Sequence, residues 1–240
     1  MRPPLRVPVF ALREGELTLD EASSRYVVRV HRLRSGDAFV AFDPEARSEA
    51  DATLLDGVRR ARCRVSALRP AALVAPLPVA LLQGLGKGDK AEEVVSAATA
   101  LGVRSITFVE CERSVPVLAE RASGRRKRWQ EVAVAAARQS GRGDVPEIKG
   151  PVPLADALEG GGVVLAPGAQ QPLFAALGSW PAGAPLGVLV GPEGGLTEAE
   201  LGLAESSGFR RVSFAALILR TETAATAVLG ALSAWAARAS

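Results

Sequence analysis

The segment LVGPEGGLTEAE, residues 189–200, joins an apolar run to a glycine-rich turn and then to the start of a helix. The apolar run has the composition of a buried strand, and Thr197 followed by Glu200 forms the T-x-x-E pattern of a helix capping box. The glycines of the turn permit backbone conformations and a close ligand approach that a Cβ atom would prevent. On its own the segment is compatible with a plain strand-to-helix turn, but at the carboxyl end of a parallel strand it is typical of a ligand site.

Outward from this segment, short apolar runs alternate with helical patterns over the second part of the chain. Alternating strands and helices predict an α/β fold with a mostly parallel sheet, whose ligands bind at the carboxyl ends of the strands. The strands are predicted at residues 79–85, 105–111, 163–167, 187–192 and 210–214, and the helices at residues 90–102, 128–141, 197–208 and from Thr221 onward.

The first part of the chain differs, because apolar and polar residues alternate there over short stretches. This pattern predicts a small, mostly antiparallel β-barrel with one helix near residues 20–33. The segment RPAALVAPLP, residues 69–78, contains three prolines and is predicted to be a linker, so the predicted domains are residues 1–73 and 74–240. The strands of the barrel are predicted at residues 38–42, 49–55 and 62–68.

The composition is typical of a folded, soluble protein, since 48% of the 240 residues are hydrophobic. No apolar run approaches the roughly 20 residues of a membrane-spanning helix, and the amino terminus lacks the features of a signal peptide, so a cytoplasmic location is expected. Cys63 and Cys111 stand apart and His31 is the single histidine, so no metal site is expected. The segment GLGKGDK, residues 84–90, lacks the Ser or Thr of a P-loop.

Basic residues are unevenly distributed, although the formal net charge is only +3. Arginines are concentrated in residues 26–34, 58–64 and 120–130. Together these clusters predict a surface that attracts phosphate groups, as in RNA-binding proteins. Each cluster taken alone is also compatible with an ordinary solvated face.

Two C-terminal segments, VLVGPEGGLTEAEL and LILRTETAATAVL, closely resemble the signature of the 16S rRNA (uracil-N3)-methyltransferase family, RsmE, of the SPOUT superfamily. A set of similar segments in the same order along the chain is more specific than any single motif. The further segments are RVHRLRSGD (29–37), KGDKAEEVVSAATALGV (87–103), ERS (112–114) and RQSGRGDVPEI (138–148).

The resemblance implies a PUA-like N-terminal barrel that helps to hold RNA and a SPOUT α/β domain whose C-terminal part forms a deep trefoil knot. It also implies a homodimer, and S-adenosylmethionine as the cofactor, held by knot loops at residues 164–169, 191–195 and 217–224. The implied cofactor-binding residues are Leu165, Pro167, Gly191, Pro192, Gly194, Gly195, Leu219, Thr221 and Ala224.

The implied reaction is methylation of N3 of a uridine in 16S rRNA, with the free RNA or the assembled small ribosomal subunit as the partner. The sulfonium activates the methyl group, so the protein must orient the uridine, accept its N3 proton and stabilise the charge that develops on the ring. Arg220 is expected to offset that charge, and Glu222 or Glu193 to accept the proton. Stabilisation of the start of the last helix is an equal alternative for Glu222. The residues expected to contact RNA are Arg32, Lys87, Arg128, Arg138 and Arg142.

Two other functions stay open at this point. One is a SPOUT methyltransferase that acts on another rRNA or tRNA position, and the other is a non-catalytic, knotted RNA-binding protein. Cofactor binding through backbone groups tolerates departures from the family pattern better than RNA recognition through side chains does. The departures are Leu217 for arginine, Ala215 for glycine, Ala166 for histidine, Ala97 for lysine, Ala100 for glutamate and His31 for leucine.

Overall fold

The computed structural model describes residues 4–57, 60–75, 77–86, 90–114, 119–181 and 183–237, with the backbone alone at residues 119–122. The chain divides into two compact units. The N-terminal unit comprises Met1–Val74 and Val134–Val145, and the C-terminal unit comprises Ala75–Ala133 and Pro146–Ser240. The division into domains 1–73 and 74–240 stays a prediction, and it does not anticipate that Val134–Val145 groups with the first unit.

The N-terminal unit is built on a mixed sheet with the strand order β1-β3-β4-β5-β2, in which β6 lies beside β4. Its elements are β1 (Arg6–Pro8), β2 (Gly15–Thr18), α1 (Glu21–Arg25), a π-helical turn (Tyr26–Val30), β3 (Ala38–Asp43), β4 (Ser48–Asp56), β5 (Arg62–Val65) and β6 (Arg69–Pro70). Strand β1 runs parallel to β3, and the other pairs are antiparallel. Within the described residues no pairing joins β1 to β2, so this sheet is open and the PUA-like barrel stays a prediction.

The core of the N-terminal unit packs against this sheet, and the inner strand β3 is buried at five of its six residues. Strands β4 and β5 alternate buried with exposed residues, as the alternating sequence pattern predicts for a sheet that is packed on one side. Burial raises the pKa of the Cys63 thiol to about 11, so this thiol is protonated at neutral pH and serves as a packing group. The core includes Val7, Leu17, Val27, Phe39, Leu54 and Cys63.

Arg6 and Arg69 share one buried carboxylate, that of Glu49. Arg6 Nη2 lies 2.9 Å from Glu49 Oε2, and Arg69 Nε lies 3.3 Å from Glu49 Oε1. Burial raises the pKa of Glu49, but the bonds from Arg6, the Ala72 backbone and Arg69 together lower it more, so the net pKa lies below its usual value. This carboxylate therefore connects β1, β4 and β6.

The C-terminal unit is built on a sheet with the strand order β12-β10-β11-β7-β8-β9, and every pair in it is parallel. Its strands are β7 (Val79–Gly84), β8 (Ser105–Glu110), β9 (Glu147–Pro153), β10 (Gly162–Leu165), β11 (Leu186–Val190) and β12 (Phe209–Val212). The helices are α2 (Lys90–Ala100), α3 (Ala119–Ser140), α4 (Leu154–Ala157), α5 (Leu173–Leu177), α6 (Glu198–Ser206) and α7 (Thr221–Ala236). The α/β fold with a parallel sheet is thus confirmed.

The predicted capping box is present at the start of α6. Thr197 Oγ1 accepts a hydrogen bond from the Glu200 amide at 3.3 Å, and the Thr197 amide donates to Glu200 Oε2 at 2.8 Å. Strand β11 is buried along its whole length, as its continuous apolar run predicts. Strand β9 was not predicted, because its sequence EIKGPVP contains two prolines, which a strand tolerates at the edge of a sheet, where β9 lies.

We expect Glu49→Gln to lower the free energy of unfolding at pH 7 by about 3 kcal/mol, because the Arg6 guanidinium loses its carboxylate in a largely buried site. The pKa of Glu49 is lowered on folding, so its stabilising contribution is complete above the unfolded pKa and is lost as the pH falls through the folded pKa. Urea unfolding at neutral and acidic pH measures both effects, and the difference from the parent protein should shrink in acid. Glu45→Gln, at an exposed position, is the control. A difference that grows on acidification would contradict this account.

Candidate functional site

The C-terminal unit contains a cavity of about 860 Å³ at the carboxyl ends of three neighbouring strands. Its walls are the loop after β10, the glycine-rich turn after β11 and the segment between β12 and α7. Parallel sheets bind ligands at this edge, and cavities for cofactor-sized ligands span about 300–1,000 Å³. The cavity therefore lies where the sequence pattern predicts a ligand site.

Most of the residues expected to bind the cofactor line this cavity. Gly194 is absent from the lining, because its carbonyl oxygen accepts a hydrogen bond from Arg113 Nη1 at 3.0 Å on the side of the turn that faces β8. A Cβ atom at Gly194 would lie 2.8 Å from the Arg113 Cβ, so this glycine makes room for the arginine. The expected residues in the lining are Leu165, Pro167, Gly191, Pro192, Gly195, Leu219, Thr221 and Ala224.

The end of β7 packs directly against the turn after β11. A Cβ atom at Gly84 would clash with the backbone nitrogen of Pro192, and a Cβ atom at Gly86 would lie 2.8 Å from Glu193 Oε1. Gly195 has φ +71°, a left-handed conformation that favours glycine, and a Cβ atom there would meet nothing within 4 Å. The turn is therefore held against β7 on one side while Gly195 borders open cavity space.

The hydroxyl of Thr221 connects the segments that form the site. Thr221 Oγ1 accepts a hydrogen bond from Gln83 Nε2 at 2.7 Å and donates one to the Gly191 carbonyl at 2.7 Å. Gln83 belongs to β7, Gly191 to the glycine-rich turn, and Thr221 is the first residue of α7. Both side chains are buried, since Gln83 is 2% exposed and Thr221 is 7% exposed, so water does not compete for these hydrogen bonds.

The predicted catalytic residues occupy three different positions. Glu193 and the exposed Arg220 both line the cavity, but Glu222 does not. The carboxylate of Glu222 faces Lys90, whose Nζ lies 3.6 Å from Glu222 Oε2 and 3.0 Å from Glu193 Oε1. The hydrogen bond to Glu193, aided by the charge of Glu222, raises the pKa of Lys90. Lys90 is not among the predicted site residues, although it lies in the KGDK segment that resembles the family pattern.

Two of the residues expected to contact RNA, Arg32 and Arg138, lie around the π-helical turn of the N-terminal unit. The Arg138 guanidinium stacks 3.5 Å from the ring centroid of Tyr26, whose ring also contacts His31 edge to face. Arg32 is exposed and has φ +55°, an uncommon conformation for a residue with a side chain, directly after that turn. Arg138 thus stacks on the ring, and Arg32 follows the turn that carries the ring.

The other three such residues lie elsewhere. Arg128 is exposed and pairs with Glu92 at 3.0 Å, and Lys87 lies outside the described residues. Arg142 is only 4% exposed, and its Nε lies 2.6 Å from Asp144 Oδ1. The carboxylate two residues further on therefore neutralises Arg142 in a buried ion pair, and its role as an RNA contact stays a prediction.

Within the described ranges, no group of three or more His, Cys, Asp and Glu side chains is arranged to hold a metal ion. Burial raises the pKa of the Cys111 thiol to about 12, so this side chain is not a thiolate at neutral pH. In the part of the chain that the structure describes, none of the helices combines the length and apolarity needed to span a bilayer.

Comparison with known proteins identifies the family. A family model described as an RNA methyltransferase domain matches residues 74–233. Over 236 residues the chain is 32% identical to the ribosomal RNA small subunit methyltransferase E of Synechocystis sp., covering 92% of this chain and 74% of the relative. The chain belongs to the ribosomal RNA small subunit methyltransferase E family. The resemblance inferred from the sequence motifs is thus confirmed.

Other members of the methyltransferase E family match over similar lengths. The Bacillus subtilis member is 32% identical over 223 residues, which cover 87% of this chain and 86% of the relative. The crystal structure of the Neisseria gonorrhoeae member, which is bound to S-adenosyl methionine, has a TM-score of 0.85 and 29% identity, with 98% of each chain covered. The likeness therefore extends over both units and not only over the cavity.

We expect Thr221→Val to lower the free energy of unfolding by about 2 kcal/mol, because the buried Gln83 amide loses one of its two acceptors and the Gly191 carbonyl loses its donor. Thr221→Ser keeps the hydroxyl and should retain most of the stability. Thr223→Val, at an exposed position of the same helix, is the matched control. Chemical unfolding of the variants makes the comparison, and equal stabilities of the Thr221→Val and Thr223→Val proteins would rule out the proposed connection.

Proposed function

We propose that this protein uses S-adenosylmethionine to methylate N3 of a uridine in the 16S rRNA of the small ribosomal subunit. The observation that carries the proposal is the cavity bordered by the glycine-rich turn and the segment before α7, in a chain that belongs to the methyltransferase E family. A family member of the same fold is known with S-adenosyl methionine bound. The N3 position comes from the resemblance to uracil-N3 methyltransferases.

The cavity suits this cofactor in size and in chemistry. Its volume of about 860 Å³ lies within the range of cofactor sites, and its walls combine apolar side chains with exposed backbone. The backbone at Gly191 and Gly195 can approach an adenosine group closely, and Leu165, Pro167 and Leu219 supply apolar contacts. When bound, S-adenosylmethionine supplies a methyl group that its sulfonium already activates.

The remaining chemistry falls to the side chains at the edge of the cavity. Glu193 lines the cavity and is the better-placed acceptor for the N3 proton, whereas Glu222 lies outside the lining. Arg220 lines the cavity and is exposed, so its guanidinium can offset the negative charge that develops on the uracil oxygens. In this proposal Arg220 helps to orient the uridine, and Glu193 accepts its N3 proton.

Arginines of both units are proposed to hold the RNA backbone. Arg32 and Arg138 lie around the π-helical turn of the N-terminal unit, and Arg128 lies on α3. Lys87 is retained as a phosphate contact on the basis of the sequence alone, whereas Arg142 would first have to leave its buried ion pair. The proposed substrate is the free 16S rRNA or the assembled small subunit. Because either substrate lies in the cytoplasm, the proposal includes a cytoplasmic location for the protein.

The proposal also includes a PUA-like barrel, a trefoil knot and a homodimer, all of which follow from the family resemblance. Two apolar side chains on the segment before α7 support the dimer, since Leu217 and Ile218 are 79% and 88% exposed at the edge of the cavity. A second copy of the chain would cover such a surface. The knot rests on the family resemblance.

The purified protein, incubated with labelled S-adenosylmethionine and 16S rRNA or small subunits, should transfer one methyl group to a uridine. Nuclease digestion followed by mass spectrometry should then identify the product as 3-methyluridine. Methylation of another atom or another RNA would favour the alternative SPOUT specificity. RNA binding without methyl transfer would favour the non-catalytic alternative.

Gly195→Val should weaken S-adenosylmethionine binding by about 100-fold or more. The valine side chain enters the cavity, and the left-handed backbone costs a further 1–2 kcal/mol, roughly, for a residue with a Cβ atom. Isothermal titration calorimetry on the full chain measures the affinity, and circular dichroism verifies the fold. Gly202→Ala, in α6 with no atom within 4 Å of the added Cβ, is the control. Unchanged affinity in the valine variant would remove the turn from the cofactor site.

A further inference from the structure

A lysine and two glutamates from three different segments form a compact charged cluster beside the cavity. Lys90 is the first residue of α2, Glu193 lies in the turn after β11, and Glu222 lies in the first turn of α7. The Lys90 ammonium lies 3.0 Å from Glu193 and 3.6 Å from Glu222. Glu193 lines the cavity and Glu222 does not, so the ammonium lies between a cavity carboxylate and a second carboxylate behind it.

The second carboxylate is the most enclosed member of the cluster. The side chain of Glu222 is 13% exposed, compared with 31% for Lys90 and 33% for Glu193. Glu222 Oε2 is inaccessible to solvent and accepts no hydrogen bond from the described residues, although it forms the ion pair with Lys90. A buried carboxylate is costly without a compensating charge. The Lys90 ammonium and the positive end of the α7 helix dipole both stabilise the ionised Glu222, and Glu222 in turn helps to hold the ammonium in place.

The orientation of Glu193 is restricted from two sides. Gly86 leaves the space that the Glu193 carboxylate occupies, since a Cβ atom there would lie 2.8 Å from Oε1 and 2.9 Å from Oε2. Lys90 holds the same carboxylate by a hydrogen bond from the side of α2.

The other charged groups near the turn lie on different segments. Arg113, after β8, binds the Gly194 carbonyl, whereas Arg220, before α7, and Glu198, in α6, line the cavity. Within the described residues, the Lys90 ammonium lies 3.0 Å from the Glu193 carboxylate and forms an ion pair with it.

We propose that Lys90 is a positioning residue for methyl transfer, whose ammonium, anchored by Glu222, holds the Glu193 carboxylate ionised and oriented at the cavity. This inference rests on the proposed function. In the step that it serves, the N3–H bond of the uridine breaks and the proton passes to Glu193. The N3 electron pair forms the new bond to the methyl carbon, and the electron pair of the broken carbon–sulfur bond stays on sulfur.

The arrangement predicts opposite effects on Glu193 for substitutions at Lys90 and at Glu222. In Lys90→Met the two carboxylates repel each other without a cation between them, so Glu193 binds its proton more tightly and the acidic limb of the pH–rate profile moves to higher pH. In Glu222→Gln the ammonium pairs with Glu193 alone and the negative charge of Glu222 is removed. Glu193 then binds its proton less tightly, so the acidic limb moves to lower pH. Lys90→Arg keeps the charge and should restore the parental profile.

Two measurements test the proposal on the full-length protein. Single-turnover methylation with saturating RNA and S-adenosylmethionine, followed across pH, should show about a 10- to 100-fold loss at neutral pH for Lys90→Met, the size expected when a general base is misplaced. Carbon-13 NMR titration of the glutamate carboxyls, without RNA or cofactor, should show the same opposite displacements. Lys149→Met removes an exposed lysine of β9 and is the matched control for charge and fold.

An active Lys90→Met protein with the parental pH profile and parental carboxyl titration would overturn the positioning role. A shift in the same direction for Lys90→Met and Glu222→Gln would overturn it as well. If Lys90→Met does not fold, the direction of the Glu222→Gln shift decides. If the parent protein transfers no methyl group to rRNA, the proposed function fails, and the proton-acceptor role of Glu193 fails with it. If the parent protein is active and its activity does not depend on Lys90, only the positioning role of Lys90 fails.

Discussion

The buried hydroxyl of Thr221 is the interaction on which the geometry of the site depends. It joins residues that are 138 positions apart in the sequence, Gln83 in β7 and Thr221 at the start of α7, and it also binds the backbone of Gly191. A hydroxyl is suited to this position because it accepts one hydrogen bond and donates another at the same time. One buried polar contact consequently connects the turn after β11, strand β7 and helix α7.

Absent side chains are as important around this contact as those that are present. Gly84 and Gly86 allow the turn after β11 to lie directly on the end of β7, and Gly194 allows Arg113 to cross its outer side. The capping residue Glu200 adds a further bond, because its Oε1 accepts from the Glu112 amide at 2.7 Å. The turn is thus supported by backbone and side-chain contacts from the ends of β7 and β8, while its other face stays open to the cavity.

Much of the fold follows from local sequence patterns. The parallel strands with continuous apolar runs, the alternation in β4 and β5 and the capping box at Thr197 are all set by neighbouring residues. The family motifs also indicate the three loops that line the cavity in the structure. Patterns of this kind could not predict β9, whose glycine and prolines resemble a loop and which depends on its edge position next to β8.

The site residues were harder to predict wherever a distant partner decides the outcome. The ion pair between Lys90 and Glu193 spans 103 positions, so no local spacing reveals it. Arg142 has the sequence context of a phosphate contact, but burial beside Asp144 determines its environment. Glu222 lies within the predicted cofactor loop at residues 217–224, yet the direction of its side chain from the first turn of α7 takes it towards Lys90 and away from the cavity lining.

The membership of Val134–Val145 in the N-terminal unit affects how the chain can be dissected. The polypeptide passes between the units three times, near residues 74, 133 and 145, and not once at the proline-rich linker. Within the N-terminal unit, the Gly143 amide donates to the Leu73 carbonyl at 2.6 Å, and Arg138 stacks on Tyr26. A protease that cuts only the linker would therefore produce two fragments that stay associated, and a fragment that begins at residue 75 would carry twelve residues deprived of the partners they pack against.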